Sequence, residues 1–102
     1  MAEVTITDNT ERHRFEVVLD GHVAFADYRL SPGHMELPHT VVPPAFEGKG
    51  VASALARHAF DQARARGLAV IPTCPFMAGW VKKHPEVHDL IAARCRAELG
   101  IG

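Results

Sequence analysis

The chain has 102 residues, 47% hydrophobic and 23% charged, with a formal net charge of −1. That length suits a single core, so one domain spanning residues 1–102 is expected, and the balanced charge argues against both a disordered chain and a basic nucleic-acid binder. No apolar run approaches the ~20 residues that cross a bilayer, and Met1-Ala2-Glu3-Val4 lacks the basic and apolar regions of a signal peptide; a cytoplasmic protein with no membrane partner is expected.

The first alternating segment, Glu3 to Thr7 with Val4 and Ile6 on one side, reads as a first strand or its approach. Residues 14–19 and 22–28 then flank Asp20-Gly21, a dipeptide favoured in two-residue hairpins because both positions tolerate positive φ. Pairing across that turn places Phe15, Val17 and Leu19 on one face with Ala24, Ala26 and Tyr28. Val23 and Phe25 make the other face partly apolar, which leaves room for a covering layer there. Ser31-Pro32-Gly33 breaks the pattern as a turn. A further strand, about Met35 to Val42, contains Pro38, which has no N–H to give a ladder, so a bulge or distortion is expected there.

From Val51 to Arg66 the apolar positions Val51, Ala52, Leu55, Ala59, Phe60 and Ala63 fall at helical spacing, and Gly67 suits a C-terminal stop. Leu68 to Ile71 is a short apolar run of the kind found in a buried strand covered on both faces, and the order strand, helix, strand implies parallel pairing. A short helix from about Met77 to Lys83 follows. After His84-Pro85 a last helix should carry Val87, Leu90, Ile91 and Arg94. The fold class is α/β: a mixed, mostly antiparallel sheet with a crossover helix and C-terminal helices.

The stretch with most chemistry in it is Glu47-Gly48-Lys49-Gly50-Val51-Ala52-Ser53, between the Met35–Val42 strand and the long helix. Glycines let the backbone turn sharply and approach a ligand, and the helix start presents unpaired N–H groups and the positive end of a dipole. Phosphate oxygens are the natural guest. The two cysteines, Cys74 and Cys95, show no Cys-x-x-Cys or Cys/His spacing, and a cytosolic setting disfavours a disulfide, so no metal is expected.

Residues 42–52 resemble the pyrophosphate loop of the GNAT superfamily of N-acetyltransferases, written Gln/Arg-x-x-Gly-x-Gly/Ala, with Glu47, Gly50 and Ala52 at the three motif positions. Glu47 departs from the customary Gln or Arg and brings a carboxylate near the phosphates unless only its N–H contributes. Leu37-Pro38-His39-Thr40-Val41-Val42, Val70 to Phe76, and Trp80 to Glu86 extend the resemblance over nearly the whole chain, to the minimal, YjdJ-type members of about 100 residues. The resemblance implies acetyl-CoA as cosubstrate, with pantetheine paired along Thr40, Val41 and Val42. It also implies pyrophosphate over Gly48, Lys49, Gly50, Val51, Ala52 and Ser53, and an amine acceptor of open identity.

Three residues have the chemistry for transfer. Cys74 stands where this subfamily carries a cysteine proposed as catalytic; a thiolate there would accept the acetyl group, whereas a small buried hydrophobe is the plain alternative. His39 suits removal of a proton from an amine, or else satisfies backbone groups beside Pro38. Glu36 is the alternative base, since larger GNAT enzymes often place a glutamate about here, or simply an exposed strand carboxylate. Lys49 offers a charged contact to phosphate and Ser53 a hydroxyl to phosphate or to the helix start; Phe76 and Trp80 suit an acyl-pocket wall or the core. The expected function is acetyl-CoA-dependent N-acetyl transfer, direct or through acetyl-Cys74; the alternative is a non-catalytic module that binds or senses acyl-CoA.

Overall fold

The computed structural model describes residues 5–46 and 48–101. Strands β1 (Thr7–Asn9), β2 (Arg14–Leu19), β3 (His22–Ser31) and β4 (His34–Val41) form an antiparallel meander, and β5 (Ala69–Ile71) joins β4 in parallel after the crossover helix α1 (Val51–Arg66). Helices α2 (Pro75–Lys82) and α3 (Ala93–Leu99) complete the chain. The sheet order is β1-β2-β3-β4-β5, and the mixed, mostly antiparallel pairing is as the sequence predicts.

The hairpin closes at Asp20 (φ 49°) and Gly21 (φ 77°), both left-handed, as a type I′ turn requires. Its register, Phe15↔Ala26 and Val17↔Ala24, puts the expected face inward. Phe15, Ala24, Ala26, Tyr28, Met35 and Leu37 are buried there, against Leu55, Ala56, Ala59, Phe60 and Ala63 of α1. Alanines on both sides let the helix lie close to the sheet, so the larger Phe15, Phe60 and Leu55 fill the space around them. The Tyr28 hydroxyl donates to Asp8 at 2.6 Å, and the other Asp8 oxygen accepts from Arg66 at 2.9 Å, tying β1, β3 and α1 together. Burial, then the Asp8 carboxylate, pushes the Tyr28 pKa up to about 12.

Strand β4 bulges where Pro38 sits. Asp27 pairs with His39 but Arg29 with Glu36, so two steps along β3 face three along β4. The bulge reverses the alternation, setting Leu37 and Thr40 to the helix side and Glu36, His39 and Val41 to the other.

Four local expectations need correction. The first strand lies at Thr7–Asn9, where Asp8 and Asn9 pair with Phe15 and Arg14, and not at residues 3–7, of which Glu3 and Val4 lie outside the described residues. The second sheet face has no covering layer among the described residues: Val18 is 65% exposed, and Phe25 is shielded by the Arg14 guanidinium 4.3 Å above its ring. Strand β5 is the sheet's edge, and only Val70 in it is fully buried. The last helix is split: residues Pro85–Leu90 make a 3-10 turn, Ile91 is extended and bridges to Val70, and α3 starts only at Ala93. Holding Ile91 against β5 competes with helical continuation, and the bridge wins.

Candidate active site

The approach to α1 is fixed by buried Phe46 at the end of a 3-10 turn, Pro44–Phe46, whose carbonyl accepts the Lys49 N–H at 3.1 Å. Gly48 (φ 76°) and Gly50 (φ 69°) then take left-handed conformations and the helix begins. That start has no side-chain cap and no acidic residue in its first turn. Among the described residues, the N–H groups of Val51, Ala52 and Ser53 have no acceptor, while Ala54 already bonds back to Gly50 at 3.0 Å. A Cβ at Gly48 or Gly50 would meet nothing within 4 Å, so the space over the turn is open. Lys49 and Ser53 are exposed beside them; Glu47 lies outside the described residues.

A cleft of about 330 Å³ opens from this point between α1 and α2, lined by Ser53, Pro75, Phe76, Trp80, Lys83 and His84. Lys83 supplies a cation to the cleft, and Lys49 one to the glycine turn. Trp80 is stacked between Phe60 (5.2 Å) and His84 (3.7 Å), and its buried Nε1 has no partner among the described residues. Phe76 stands 38% exposed at the rim. Helix-start amides without an acceptor among the described residues, and open space over two glycines, fit an anionic ligand such as the pyrophosphate of acetyl-CoA.

Strands β4 and β5 part at the same end of the sheet. Their ladder runs only from His34↔Ala69 to Glu36↔Ile71. Past it the Cys74 N–H still reaches the Leu37 carbonyl at 2.9 Å, and beyond that Thr40 to Val42 have no β5 partner among the described residues. Cys74, 5% exposed, is the N-cap residue of α2 and its thiol donates to Thr40 Oγ1 at 3.5 Å.

The three candidate catalytic residues therefore fall into two groups. Cys74 and Thr40 meet on the helix side of the parting strands. Glu36 and His39 project from the other side, where Glu36 accepts a hydrogen bond from Thr73 Oγ1 at 3.0 Å and His39 stands opposite Asp27. The bulge at Pro38 sets which residues share a face: it brings Glu36 and His39, three positions apart, to the same side, while Thr40 lies on the other by ordinary alternation. Thr73 and Asp27 escape a reading of the sequence, because only the register reveals whom they face.

The fold is thus a mixed sheet whose single parallel strand pair parts near an uncapped, glycine-led helix start. Residues 14–90 match the family described as GCN5-related N-acetyl-transferase, and the chain belongs to that family. It is 31% identical over 88 residues to Protein NATD1 of Xenopus tropicalis, covering 82% of this chain and 80% of that one. The human Protein NATD1 is 30% identical over 86 residues, covering 80% and 75% of the two chains. The NMR structure of a GCN5-like protein from Staphylococcus aureus superposes with a TM-score of 0.71 at 23% identity, over 90% of this chain and 91% of that one, which establishes the shared fold.

Proposed function

We propose that the protein is an acetyl-CoA-dependent N-acetyltransferase that moves the acetyl group directly onto an amine acceptor. The observation that carries this reading is the uncapped start of α1, whose first three amides have no acceptor among the described residues, near the point where β4 and β5 part. The amides of Val51, Ala52 and Ser53 would hold the pyrophosphate, with Lys49 and Lys83 supplying charge. The free backbone edge of Thr40 to Val42 would pair with the amides of the pantetheine arm and so direct the thioester towards the gap between the strands.

His39 is the proposed general base, because it lines an open cavity of about 590 Å³ on the far side of β4, whereas Glu36 is held by Thr73. The amine nitrogen attacks the thioester carbonyl, forming a C–N bond as the C–S bond breaks. His39 takes the proton the nitrogen loses and returns it, through solvent, to the departing thiolate. Following thiol release with His39→Gln tests this: kcat should fall by about 10²- to 10⁴-fold with CoA affinity unchanged, and Glu36→Gln should change little. Unchanged turnover in His39→Gln would remove His39 from the chemistry.

A second reading is supported by Cys74 at the N-cap of α2, in contact with Thr40 at the strand gap. In it the Cys74 thiolate displaces CoA to give acetyl-Cys74, and the amine then displaces the thiolate. Cys74→Ser separates the routes: direct transfer survives it, whereas the two-step route stops and mass spectrometry of the wild type finds an acetyl group on Cys74.

A further inference from the structure

The cavity behind β4 also has a composition of its own. Asp27 and His39 are cross-strand partners on one face, and Arg12 and Arg29 flank them, with the Pro38 bulge forming the wall between. Both signs of charge thus line one small opening. Among the described residues neither arginine has a carboxylate within ion-pair distance, although other arginines of the chain do. Arg29 lies opposite Glu36, yet that carboxylate takes its hydrogen bond from Thr73. Asp27 stands opposite Arg14 of β2, but Arg14 pairs with Glu16, and among the described residues Asp27 has no cation within ion-pair distance.

The turn that carries Arg12 is held in place. The Arg12 N–H bonds both the carbonyl and the side-chain oxygen of Asn9 at 3.2 Å. His13 next to it adopts φ 53°, an uncommon conformation for a residue with a Cβ, and its carbonyl accepts the Tyr28 N–H at 2.9 Å. Local backbone strain of this kind persists only where the surroundings enforce it. Here it fixes Arg12 against β3, at the mouth of the cavity.

Resting on the acetyltransferase reading, we propose that this cavity is the acceptor site and that the acceptor is a small amine that also carries an oxyanion, a carboxylate or a phosphate. The guanidinium forks of Arg12 and Arg29 take the oxyanion, which a lysine would grip with less geometric selectivity. Asp27 attracts the ammonium group; His39, beside it, takes one proton and passes it to solvent, which frees the nitrogen lone pair for attack, then takes the second as the C–N bond forms and returns it, through solvent, to the thiolate. At about 590 Å³ the cavity has the size of a small-molecule site.

The test is an NMR titration of the full chain, saturated with CoA, that follows the His39 imidazole and the Arg12 and Arg29 guanidinium signals. The probes are β-alanine, phosphoethanolamine and butylamine. One or both oxyanion-bearing amines should bind at least about tenfold more tightly than butylamine, and Arg12→Gln with Arg29→Gln should erase that preference while leaving butylamine unchanged. Comparing the first two probes distinguishes carboxylate from phosphate. Equal or stronger binding of butylamine, no binding by any probe, or a preference that survives both substitutions overturns the inference. Amide signals of Gly48 and Gly50 report CoA binding in the same samples, so their failure to move would count against the acetyltransferase reading and not against the cavity.

Discussion

At its C-terminal end α1 closes on Gly67, left-handed at φ 67°, whose N–H reaches the carbonyls of Ala63 and Arg64; at its N-terminal end it starts from Gly50, at φ 69°, with no side-chain cap. The backbone device is the same at both ends, but the surroundings differ. Arg64 forks onto Asp89 at 2.9 and 3.0 Å and Arg66 pairs with Asp8 at 2.9 Å, so the negative end of the helix is matched by cations that are themselves neutralised. The positive end receives no acid in its first turn and gains Lys49 nearby. Among the described residues, then, one end of the helix is closed and its cations are paired, while the other meets neither a side-chain cap nor an acid in its first turn.

The largest effect expected from disturbing this asymmetry comes from Ser53→Glu. A carboxylate at the third helical position completes the missing dipole partner and should raise folding stability by about 0.3–1 kcal/mol, measured as the thermal midpoint. The same charge opposes pyrophosphate and should raise the acetyl-CoA Kd by about 10- to 100-fold, or ~1.4–2.7 kcal/mol by calorimetry. Stability and binding moving in opposite directions is the mark of a site, since a merely unfinished helix end would gain stability and lose nothing.

Gly50→Ala and Gly67→Ala sharpen the comparison. Neither added Cβ meets an atom within 4 Å, so each should cost about 1–2 kcal/mol through the left-handed backbone alone. Equal denaturant shifts are expected, with weakened CoA binding only at Gly50. Equal binding in both variants would mean that no ligand approaches Gly50 closely.

Tyr28→Phe probes the part of the scaffold that both helix ends depend on. Loss of the bond to Asp8 should cost about 1 kcal/mol near neutral pH. Because the folded pKa of about 12 lies above the ordinary 10.0, the wild type holds this contribution below pH 10.0 and loses it as the pH rises towards 12. Stability curves of the two proteins should therefore converge over that window. The smallest effect is expected from Arg64→Gln, whose exposed pair with Asp89 should shift the thermal midpoint only slightly and less at high salt.

Elements announced by contiguous residues were legible in the sequence. Asp20-Gly21 marked the hairpin, the periodicity from Val51 to Ala63 marked α1, Gly67 marked its end, and the glycine turn marked the bare helix start. What depends on pairing between distant residues was not. A three-residue edge strand such as Thr7–Asn9 has too few positions to show alternation. Val87, Leu90 and Ile91 have helical spacing, yet Ile91 is claimed by Val70, twenty-one residues earlier in the chain, and the helix breaks. Pro38 signalled a bulge, but its consequence, that Glu36 and His39 share a face and that Asp27 comes beside His39, appears only once the register is known. The family resemblance pointed to candidate residues along the chain; the side of the sheet on which each of them lies came from the fold.

The central claim is that the bare end of α1 receives the pyrophosphate of acetyl-CoA. Isothermal titration of acetyl-CoA into the wild type and into Ser53→Glu tests it most directly. The account predicts saturable one-to-one binding to the wild type that Ser53→Glu weakens by at least about tenfold while the protein stays folded. No heat of binding to the wild type at millimolar acetyl-CoA, or equal affinity in the two proteins, would contradict it.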